Sequence, residues 1–174
     1  MTHPVGHDVL MKRVSHTLTY PGTTVDAVYA MLADPAYRKA VGDYQHVVDL
    51  SCEITPTGSG MAVRLEQAHG TDRIPGFAQR LVGHEIRFVQ QETWKSSTGA
   101  DLHVTIPGKP GDMTGTTTLT QAGDDVVQQI DLTVKVSIPL VGGKVEELIA
   151  GFVIKAFDAE NSVGVKWLRG QWRV

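Results

Sequence analysis

The amino-acid sequence predicts an α+β fold in which a curved antiparallel sheet of about seven strands wraps around one long C-terminal helix. Two observations carry this prediction. Most of the chain alternates apolar and polar residues with the period of two that is typical of strands. Only near the end, from about Gly143 to Leu168, does the pattern change to the period of 3.6 that is typical of a helix. One amphipathic helix of that length is suited to cover the apolar face of a curved sheet.

The chain begins with a strand and one or two short helices. Residues 12–20 alternate in polarity, which predicts a half-buried strand. The inward positions of this strand are Val14, His16, Leu18 and Tyr20. After a Pro-Gly turn, Thr23 or Thr24 can cap a helix that stops at Asp34 before a proline. A second short helix is expected in the segment "AYRKAVG".

Six further segments alternate in polarity and are joined by short turns, so they are predicted to pair as antiparallel neighbours. These segments are residues 44–54, 61–67, 85–94, 100–106, 112–121 and 126–138. Residues 73–83 break the alternation and are predicted to form a loop with a short helix.

The longest helical pattern follows the glycine pair Gly142-Gly143. Its apolar stripe is predicted to contain Val145, Leu148, Ile149, Phe152, Val153, Ala156, Ala159 or Glu160, Val163 and Trp167. A phosphate-binding loop is excluded, because Ile138 and Val145 stand where that motif needs a glycine and a hydroxyl residue. The glycine pair is instead expected to supply the permissive backbone that joins sheet to helix. Gly151, in mid-helix, is expected to bend the helix or to leave space above a pocket.

Length, composition and charge limit the possible classes of function. The chain of 174 residues has 41% apolar and 20% charged residues, which fits one globular domain. We place a flexible N-terminus at residues 1–11 and the domain at residues 12–174. A net charge of −3 without a basic stripe argues against nucleic-acid binding. Charged residues interrupt the apolar stretch 138–157, so we do not expect it to span a membrane.

The cysteine and histidine content predicts neither a disulfide framework nor a metal site. Cys52 is the single cysteine, and the N-terminus lacks the pattern of an export signal, so we expect a cytoplasmic location. Cys52 falls on an apolar strand face, where an inert packing thiol is expected. His3 and His7 have a spacing compatible with a metal but no third ligand nearby. We expect no metal and no cofactor.

The order of the elements resembles the START-like helix-grip (SRPBCC) superfamily, which includes the birch pollen allergen group, lipid-transfer START domains and polyketide aromatase/cyclases. The resemblance covers residues 12–169 and includes "IPLVGGKVEELI", which enters the last helix, and "WL", which ends it. The segments "IPGFAQRLVG" and "VQQETW" further resemble an uncharacterised actinobacterial branch of that superfamily. The resemblance implies a hollow for an apolar ligand and no shared catalytic residues.

Several polar residues fall on strand faces that are predicted to point inward. They are His46, Gln67, Gln90, Glu92, Thr117 and Gln128, with Trp94 among them. An unpaired buried polar group costs about 1–3 kcal/mol, so the set predicts either a cavity with water and ligand or a misjudged register near a bulge. A buried Glu92 needs a cationic partner, or else its pKa is raised and it can act as an acid or base. The candidate partners are Arg64, Arg80 and His46. His16 and His46 are both predicted to face the sheet interior.

Three hypotheses about function follow. The first is a non-catalytic binder or carrier of an apolar small molecule, lipid-like or polyketide-like. Its pocket residues would be Leu65, Phe88, Gln90, Glu92, Trp94, Leu132, Phe152 and Ala156. The second is a cyclase or dehydratase in which Glu92 or His46 moves a proton on the ligand, and the third is a protein-interaction module. The absence of a recognisable acid/base pair favours the first.

Overall fold

A seven-stranded antiparallel sheet forms the frame of the protein. The structure is a computed structural model that describes residues 10–109, 111–136 and 142–173. The strands are β1 (Leu10–Tyr20), β2 (Asp49–Thr57), β3 (Gly60–Gly70), β4 (Glu85–Ser96), β5 (Gly99–Thr105), β6 (Asp112–Ala122) and β7 (Asp125–Val136). The helices are α1 (Val25–Leu32), α2 (Pro35–Tyr44), α3 (Gly76–Val82) and α4 (Gly142–Leu168).

The strand order explains how the sheet holds the long helix. The order is β1-β7-β6-β5-β4-β3-β2, so β2 to β7 form a meander and β1 pairs with β7. β1 and β2 are therefore the two edges of the sheet, and α1 and α2 connect one edge to the other. α4 packs against β1, β7, α1 and α2. The predicted helix-grip architecture, with two short helices after the first strand, is confirmed.

Local sequence explains where α1 and α2 begin. The side chain of Thr24 accepts a hydrogen bond from the Ala27 amide at 3.2 Å and so caps α1. Asp34 caps α2 through the amide two residues further on, at 2.9 Å. Pro35 then starts α2 with a backbone angle already suited to a helix. Of the two predicted caps for the first helix, Thr24 is the one used.

The second strand begins later than the alternation of polarity predicts. α2 continues to Tyr44, and β2 begins only at Asp49. Between them, His46 has a φ of 55° and is exposed to solvent. Its backbone N–H donates to the Asp43 carbonyl oxygen at 3.1 Å, so helix-like hydrogen bonding extends past the end of α2. The prediction that Tyr44 and His46 lie on the inward face of a strand is wrong, because a left-handed residue ends this helix.

The long helix α4 is confirmed, but its buried stripe is rotated from the predicted one. The buried positions are Glu146, Ile149, Ala150, Val153, Phe157, Ala159, Glu160, Val163 and Gly164. Half-buried at the flank are Val145, Leu148, Phe152, Ala156 and Trp167. The helix comes closest to its neighbours at a small residue, since a Cβ on Gly164 would lie 2.8 Å from Tyr20 Cε1. A prediction from large apolar side chains alone does not find this side of the helix, because a glycine adds nothing to the hydrophobic pattern.

Gly151 lies on the opposite, solvent-facing side of α4. It is exposed, and a Cβ added there would meet nothing within 4 Å. The expectation that this glycine leaves space above a pocket is therefore wrong. The predicted end of the last strand at Ile138 lies outside the described residues, as do residues 1–9 of the predicted N-terminal segment. Among the helices of the described part of the chain, none is long and apolar enough to cross a membrane.

Candidate ligand-binding groove

An arginine and a glutamate form a buried ion pair between α2 and the sheet. Arg38 Nη1 and Nη2 donate to Glu92 Oε1 and Oε2, each at 2.9 Å. The two side chains are almost fully buried, with exposures of 2% and 5%. Arg38 Nε donates to the Leu32 carbonyl oxygen at 2.9 Å, which fixes the plane of the guanidinium group. This bidentate pair ties α2 to β4.

Glu92 is a buried carboxylate with several hydrogen-bond donors around it. Besides Arg38, Gln90 Nε2 donates to Oε1 and Trp94 Nε1 donates to Oε2, both at 2.8 Å. Burial alone would raise the pKa of Glu92, but the Arg38 charge and these hydrogen bonds outweigh burial and hold the pKa below its ordinary value. A carboxylate in this state is poorly suited to exchange a proton near neutral pH.

Arg38 replaces the partners that the sequence suggested for Glu92. Arg64 is exposed on the outer face of the sheet, where its Nη2 lies 3.5 Å from Glu66. His46 is exposed in the turn before β2. A signal for Arg38 was nevertheless present, because it stands three residues before the buried Val41 and therefore shares the inward side of α2.

A second buried glutamate reaches the ion pair from α4. Glu160 Oε1 lies 3.7 Å from Arg38 Nη1, and its side chain keeps 11% exposure. The Tyr37 hydroxyl donates to the backbone oxygen of Glu160 at 2.8 Å, which leaves the carboxylate itself without a hydrogen-bond donor among the described residues. Burial raises the pKa of Glu160 to about 7; the Arg38 charge opposes this rise and the Glu92 charge adds to it. Unlike Glu92, Glu160 exchanges its proton near neutral pH.

Other inward polar residues form a separate hydrogen-bonded chain. The Tyr20 hydroxyl donates to Gln128 Oε1 at 3.2 Å, and Gln128 Nε2 donates to Thr117 Oγ1 at 3.0 Å. Burial raises the pKa of Tyr20 and of Tyr37, so both are neutral. Thr117 and Gln128 are therefore paired members of the core, as buried polar groups generally are.

An apolar floor leads away from the ion pair along β2, β3 and β4. Directly opposed residues of neighbouring strands point to the same face of a sheet. One row across these strands is Cys52, Leu65 and Gln90, and the next is Leu50, Gln67 and Phe88. Apart from the buried Leu65, every member of the two rows is half-buried. This part of the concave face keeps apolar surface that the rest of the protein does not fully cover.

A matching row of side chains lies on α4. Leu148, Phe152, Ala156 and Glu160 recur every four residues, so they share one side of the helix. The three apolar residues are half-buried, and Glu160 adjoins Arg38. Farther along the helix Val163 is fully buried, in the region where α1 and α2 also contact α4. At 1.5 Å per residue, the row spans about 18 Å.

The strand rows and the helix row outline a groove. It is defined by the half-buried residues Leu50, Cys52, Gln67, Phe88, Gln90, Leu148, Phe152 and Ala156. Both sets run from the Arg38–Glu92 pair toward the end of the sheet where β4 starts and β7 leads into α4. The groove therefore has apolar sides and a polar inner end formed by Arg38, Glu92 and Glu160. Apolar sides of this length with a polar end suit an elongated, mostly apolar molecule.

Most of the predicted pocket residues lie on the strand rows, on the helix row or beside them. Those on the groove surface are Phe88, Gln90, Phe152 and Ala156. Leu65 is buried in the floor, and Glu92 closes the inner end. Trp94 is buried behind Glu92, edge-on to Tyr29 with ring centroids 5.6 Å apart. Leu132 does not join them, because it is buried on β7, three strands from β4, where α4 covers the sheet.

The two histidines that are predicted to face the sheet interior lie at opposite edges of the sheet. His16 is on the edge strand β1, and its Nε2 lies 2.7 Å from Asp158 Oδ1 of α4. His46 is exposed beside the opposite edge of the sheet. Cys52, expected to be buried, is half-buried, and burial raises the pKa of its thiol. Among the described residues, no group of three or more His, Cys, Asp or Glu could hold a metal ion. His3 and His7 lie outside those residues.

A depression of about 440 Å³ lies on the outer face of the sheet. Its lining includes the outward side chains of Thr55, Ala62, Arg64, Gln91, Thr93, Asp101 and His103. Apart from Ala62, these side chains are polar, and their charges are mixed, so this depression does not have the character of an apolar ligand site.

Comparison with known proteins identifies a family without a described activity. A family model described as "Protein of unknown function (DUF2505)" matches residues 15–168. No curated protein matches the chain.

Solved structures share the fold at low sequence identity. The Zhui aromatase/cyclase from Streptomyces sp. R1128 is 18% identical, with a TM-score of 0.61, and the match covers 95% of this chain and 98% of that one. A START superfamily protein from Mycobacterium smegmatis is 16% identical, with a TM-score of 0.59 and coverage of 90% and 98%. Norcoclaurine synthase from Thalictrum flavum, in complex with dopamine and hydroxybenzaldehyde, is 16% identical, with a TM-score of 0.56 and coverage of 95% and 94%. At these identities the likeness shows the fold alone.

Proposed function

The chain belongs to the DUF2505 family and has the START-like helix-grip fold, and from this premise we propose that it binds an apolar small molecule, lipid-like or polyketide-like, in the groove between β2–β4 and α4. The proposal is for a binder or carrier, and the groove residues are its ligand-contacting surface.

The observation that carries the proposal is the incomplete burial of the groove's large apolar side chains. Leu50, Phe88, Leu148 and Phe152 are half-buried on inward faces of the sheet and of α4, where a closed core would bury them. Burying such a side chain fully contributes about 1.5–3 kcal/mol. An apolar ligand that covers several of them at once would gain part of this free energy and complete the core.

The known structures make small-molecule binding by this fold a reasonable expectation. One of the similar structures is an aromatase/cyclase, and another is a norcoclaurine synthase in complex with dopamine and hydroxybenzaldehyde. Those ligands and activities belong to those proteins. For this chain they support the class of ligand, a small molecule with apolar or aromatic character.

The two residues on which a cyclase or dehydratase activity would depend are poorly placed for it. Glu92 is held ionised by Arg38 and by the donors Gln90 and Trp94. His46 is exposed in the turn between α2 and β2, outside the groove. These observations favour binding over catalysis by these residues.

Fluorescence titration with the neutral apolar probe N-phenyl-1-naphthylamine tests the proposal. We expect wild-type protein to bind it with a Kd in the micromolar range. Ala156→Trp, which places a large ring in the groove, should weaken binding by at least tenfold. The matched control on the same helix is Gly151→Ala, on the solvent side, which should bind as wild type does. Absence of binding to wild-type protein, or equal binding to the Ala156→Trp variant, would contradict the proposal.

A further inference from the structure

The inner end of the groove has an unequal charge distribution. Arg38 supplies one positive charge, while Glu92 and the ionised form of Glu160 supply two negative charges. Glu92 accepts hydrogen bonds from Nη1 and Nη2 of Arg38 at 2.9 Å, and Glu160 Oε1 lies 3.7 Å from Nη1. The cluster is therefore one positive charge short when Glu160 is ionised.

Two hydrogen-bond acceptors at this end remain available to a ligand. The Glu160 carboxylate has no hydrogen-bond donor among the described residues. Gln90 Nε2 donates to Glu92, so the amide oxygen of this half-buried side chain is left as an acceptor beside the groove. Trp94 Nε1 donates to Glu92, and the positive charge of Arg38 is already paired with the Glu92 carboxylate through Nη1 and Nη2. A ligand group that completes this end must donate hydrogen bonds and carry positive charge.

The position of Glu160 links this charge to the groove. It ends the row Leu148, Phe152, Ala156 and Glu160, so a molecule lying along the row brings one end to the carboxylate. The distance along the row is about 18 Å, comparable with an extended chain of twelve to fourteen carbons.

We propose that the natural ligand of the groove is an apolar amine whose protonated nitrogen is bound by the Glu160 carboxylate and the Gln90 amide oxygen, beside the Arg38–Glu92 pair. This inference rests on the proposed function, because it names the class of molecule that the groove binds. It excludes apolar carboxylic acids, since a third anion beside Glu92 and Glu160 would be repelled.

Binding of an amine should depend on pH through Glu160. The charged and titratable groups that face Glu160 are Arg38 and Tyr37 from α2, Glu92 from β4 and Tyr20 from β1. Near neutral pH, only Glu160 of this set changes its charge, because its pKa is raised to about 7 by burial. The amine should therefore bind more tightly as the pH rises and Glu160 ionises.

Competition between ligands of equal chain length tests the inference. Dodecylamine, dodecanol and dodecanoate are each used to displace N-phenyl-1-naphthylamine from the wild-type protein at pH 5.5 and pH 8. At pH 8 we expect dodecylamine to displace the probe at least tenfold more effectively than dodecanol, and dodecanoate to be the weakest. At pH 5.5 the preference for the amine over the alcohol should shrink to about threefold or less.

Two variants test whether Glu160 is the source of the preference for the amine over the alcohol. Glu160→Gln should bring the amine and the alcohol to within about twofold of each other at both pH values. Glu146→Gln is the matched control, because Glu146 is a second buried carboxylate on the inward stripe of α4, about 21 Å along the helix from Glu160. This control should keep the preference of the wild type.

The outcomes separate this inference from the proposed function. If the probe does not bind wild-type protein, the proposed function itself fails. If the probe binds but amine and alcohol compete equally at pH 8, the amine inference is wrong and the binding function stands. Loss of the preference in Glu146→Gln rather than in Glu160→Gln also contradicts the inference. The comparison of amine with alcohol in the wild-type protein at pH 8 keeps the test valid even if Glu160→Gln folds poorly.

Discussion

Arg38 and Glu92 depend on each other, because each is a charge that the protein buries almost completely. Removal of one partner from a buried ion pair costs about 3–5 kcal/mol, since the other charge is left uncompensated. We expect Arg38→Met to lower the free energy of unfolding by this amount, measured by urea denaturation. In the double variant Arg38→Met/Glu92→Met most of the loss should be recovered.

The neighbouring lysine provides the control for this prediction. Lys39 Nζ lies 2.6 Å from Asp43 Oδ2, but both side chains are exposed. Exposed ion pairs contribute about 0–1 kcal/mol, so Lys39→Met should change the free energy of unfolding very little. If Arg38→Met costs no more than Lys39→Met, the buried pair does not have the structural role described above.

The raised pKa of Glu160 predicts an unusual dependence of the free energy of unfolding on pH. Its pKa is raised to about 7 by burial, above the value of about 4.3 expected in the unfolded chain. The folded state therefore binds the Glu160 proton more tightly than the unfolded state does. The stability that protonated Glu160 contributes is fully present below pH 4 and is lost as the pH rises through 7. The loss amounts to about 3–4 kcal/mol.

We expect Glu160→Gln to remove this loss. The measurement is urea denaturation of wild type and variant at several values between pH 5 and pH 8. The variant should show a flatter profile than the wild type and should be the more stable of the two at pH 8. Glu92 acts in the opposite direction, because its lowered pKa contributes stability that is lost only as the pH falls below its ordinary range. Parallel pH profiles for wild type and Glu160→Gln would show that Glu160 does not titrate as described.

The polar residues also show what sequence reasoning reached at this scale and what it missed. The inward orientation of Gln90, Glu92 and Trp94 follows from the period of two along a strand, and the structure confirms it. The partner Arg38 was missed because it comes from a helix 54 positions earlier in the chain, and periodicity within one element carries no information about such a contact. Glu160 was only an alternative position in the predicted stripe, because a hydrophobic pattern gives no reason to bury a glutamate.

At the scale of elements, the two glycines within α4 should respond in opposite ways to the same substitution. Gly151 is exposed with open space around it, so Gly151→Ala should stabilise the protein by about 1 kcal/mol through helix propensity. Gly164 is buried, and a Cβ there would lie 2.8 Å from Tyr20 Cε1 and 3.1 Å from Met31 Cε. We expect Gly164→Ala to destabilise the protein by about 1–3 kcal/mol, despite the same gain in propensity.

Thermal denaturation of the two variants checks this pair of predictions. The midpoint should rise for Gly151→Ala and fall for Gly164→Ala. Changes of the same sign would mean that helix propensity alone governs both sites and that α4 does not approach β1 and α1 as closely as described.

The elements themselves were largely predictable, with errors at their boundaries. The seven strands and the long helix have strong periodicity, and their types are confirmed. The start of β2 was placed five residues too early, at Tyr44 instead of Asp49. In "YQHVVDL" apolar and polar residues alternate by chance, although the segment contains the last residue of α2 and the turn that follows it. The left-handed conformation of His46 in that turn has no signature in a pattern of polarity.

At the scale of the whole molecule, the helices cover the concave face unevenly. α1 and α2 support the C-terminal half of α4 and bury its side chains there. Beside the N-terminal half, α4 and the strands β2 to β4 keep their facing apolar residues half-buried. This asymmetry is the physical basis of the proposed groove, and it places the polar cluster at the end where the covered region begins.

The most direct test of binding in this groove is to locate a bound probe by NMR. Backbone amide shifts of ¹⁵N-labelled protein are recorded during titration with N-phenyl-1-naphthylamine. We predict that the largest changes fall on Phe88, Gln90, Phe152 and Ala156. Changes centred instead on Ala62, Thr93 and Asp101 of the outer face, or no saturable changes anywhere, would contradict the proposal that this groove binds an apolar molecule.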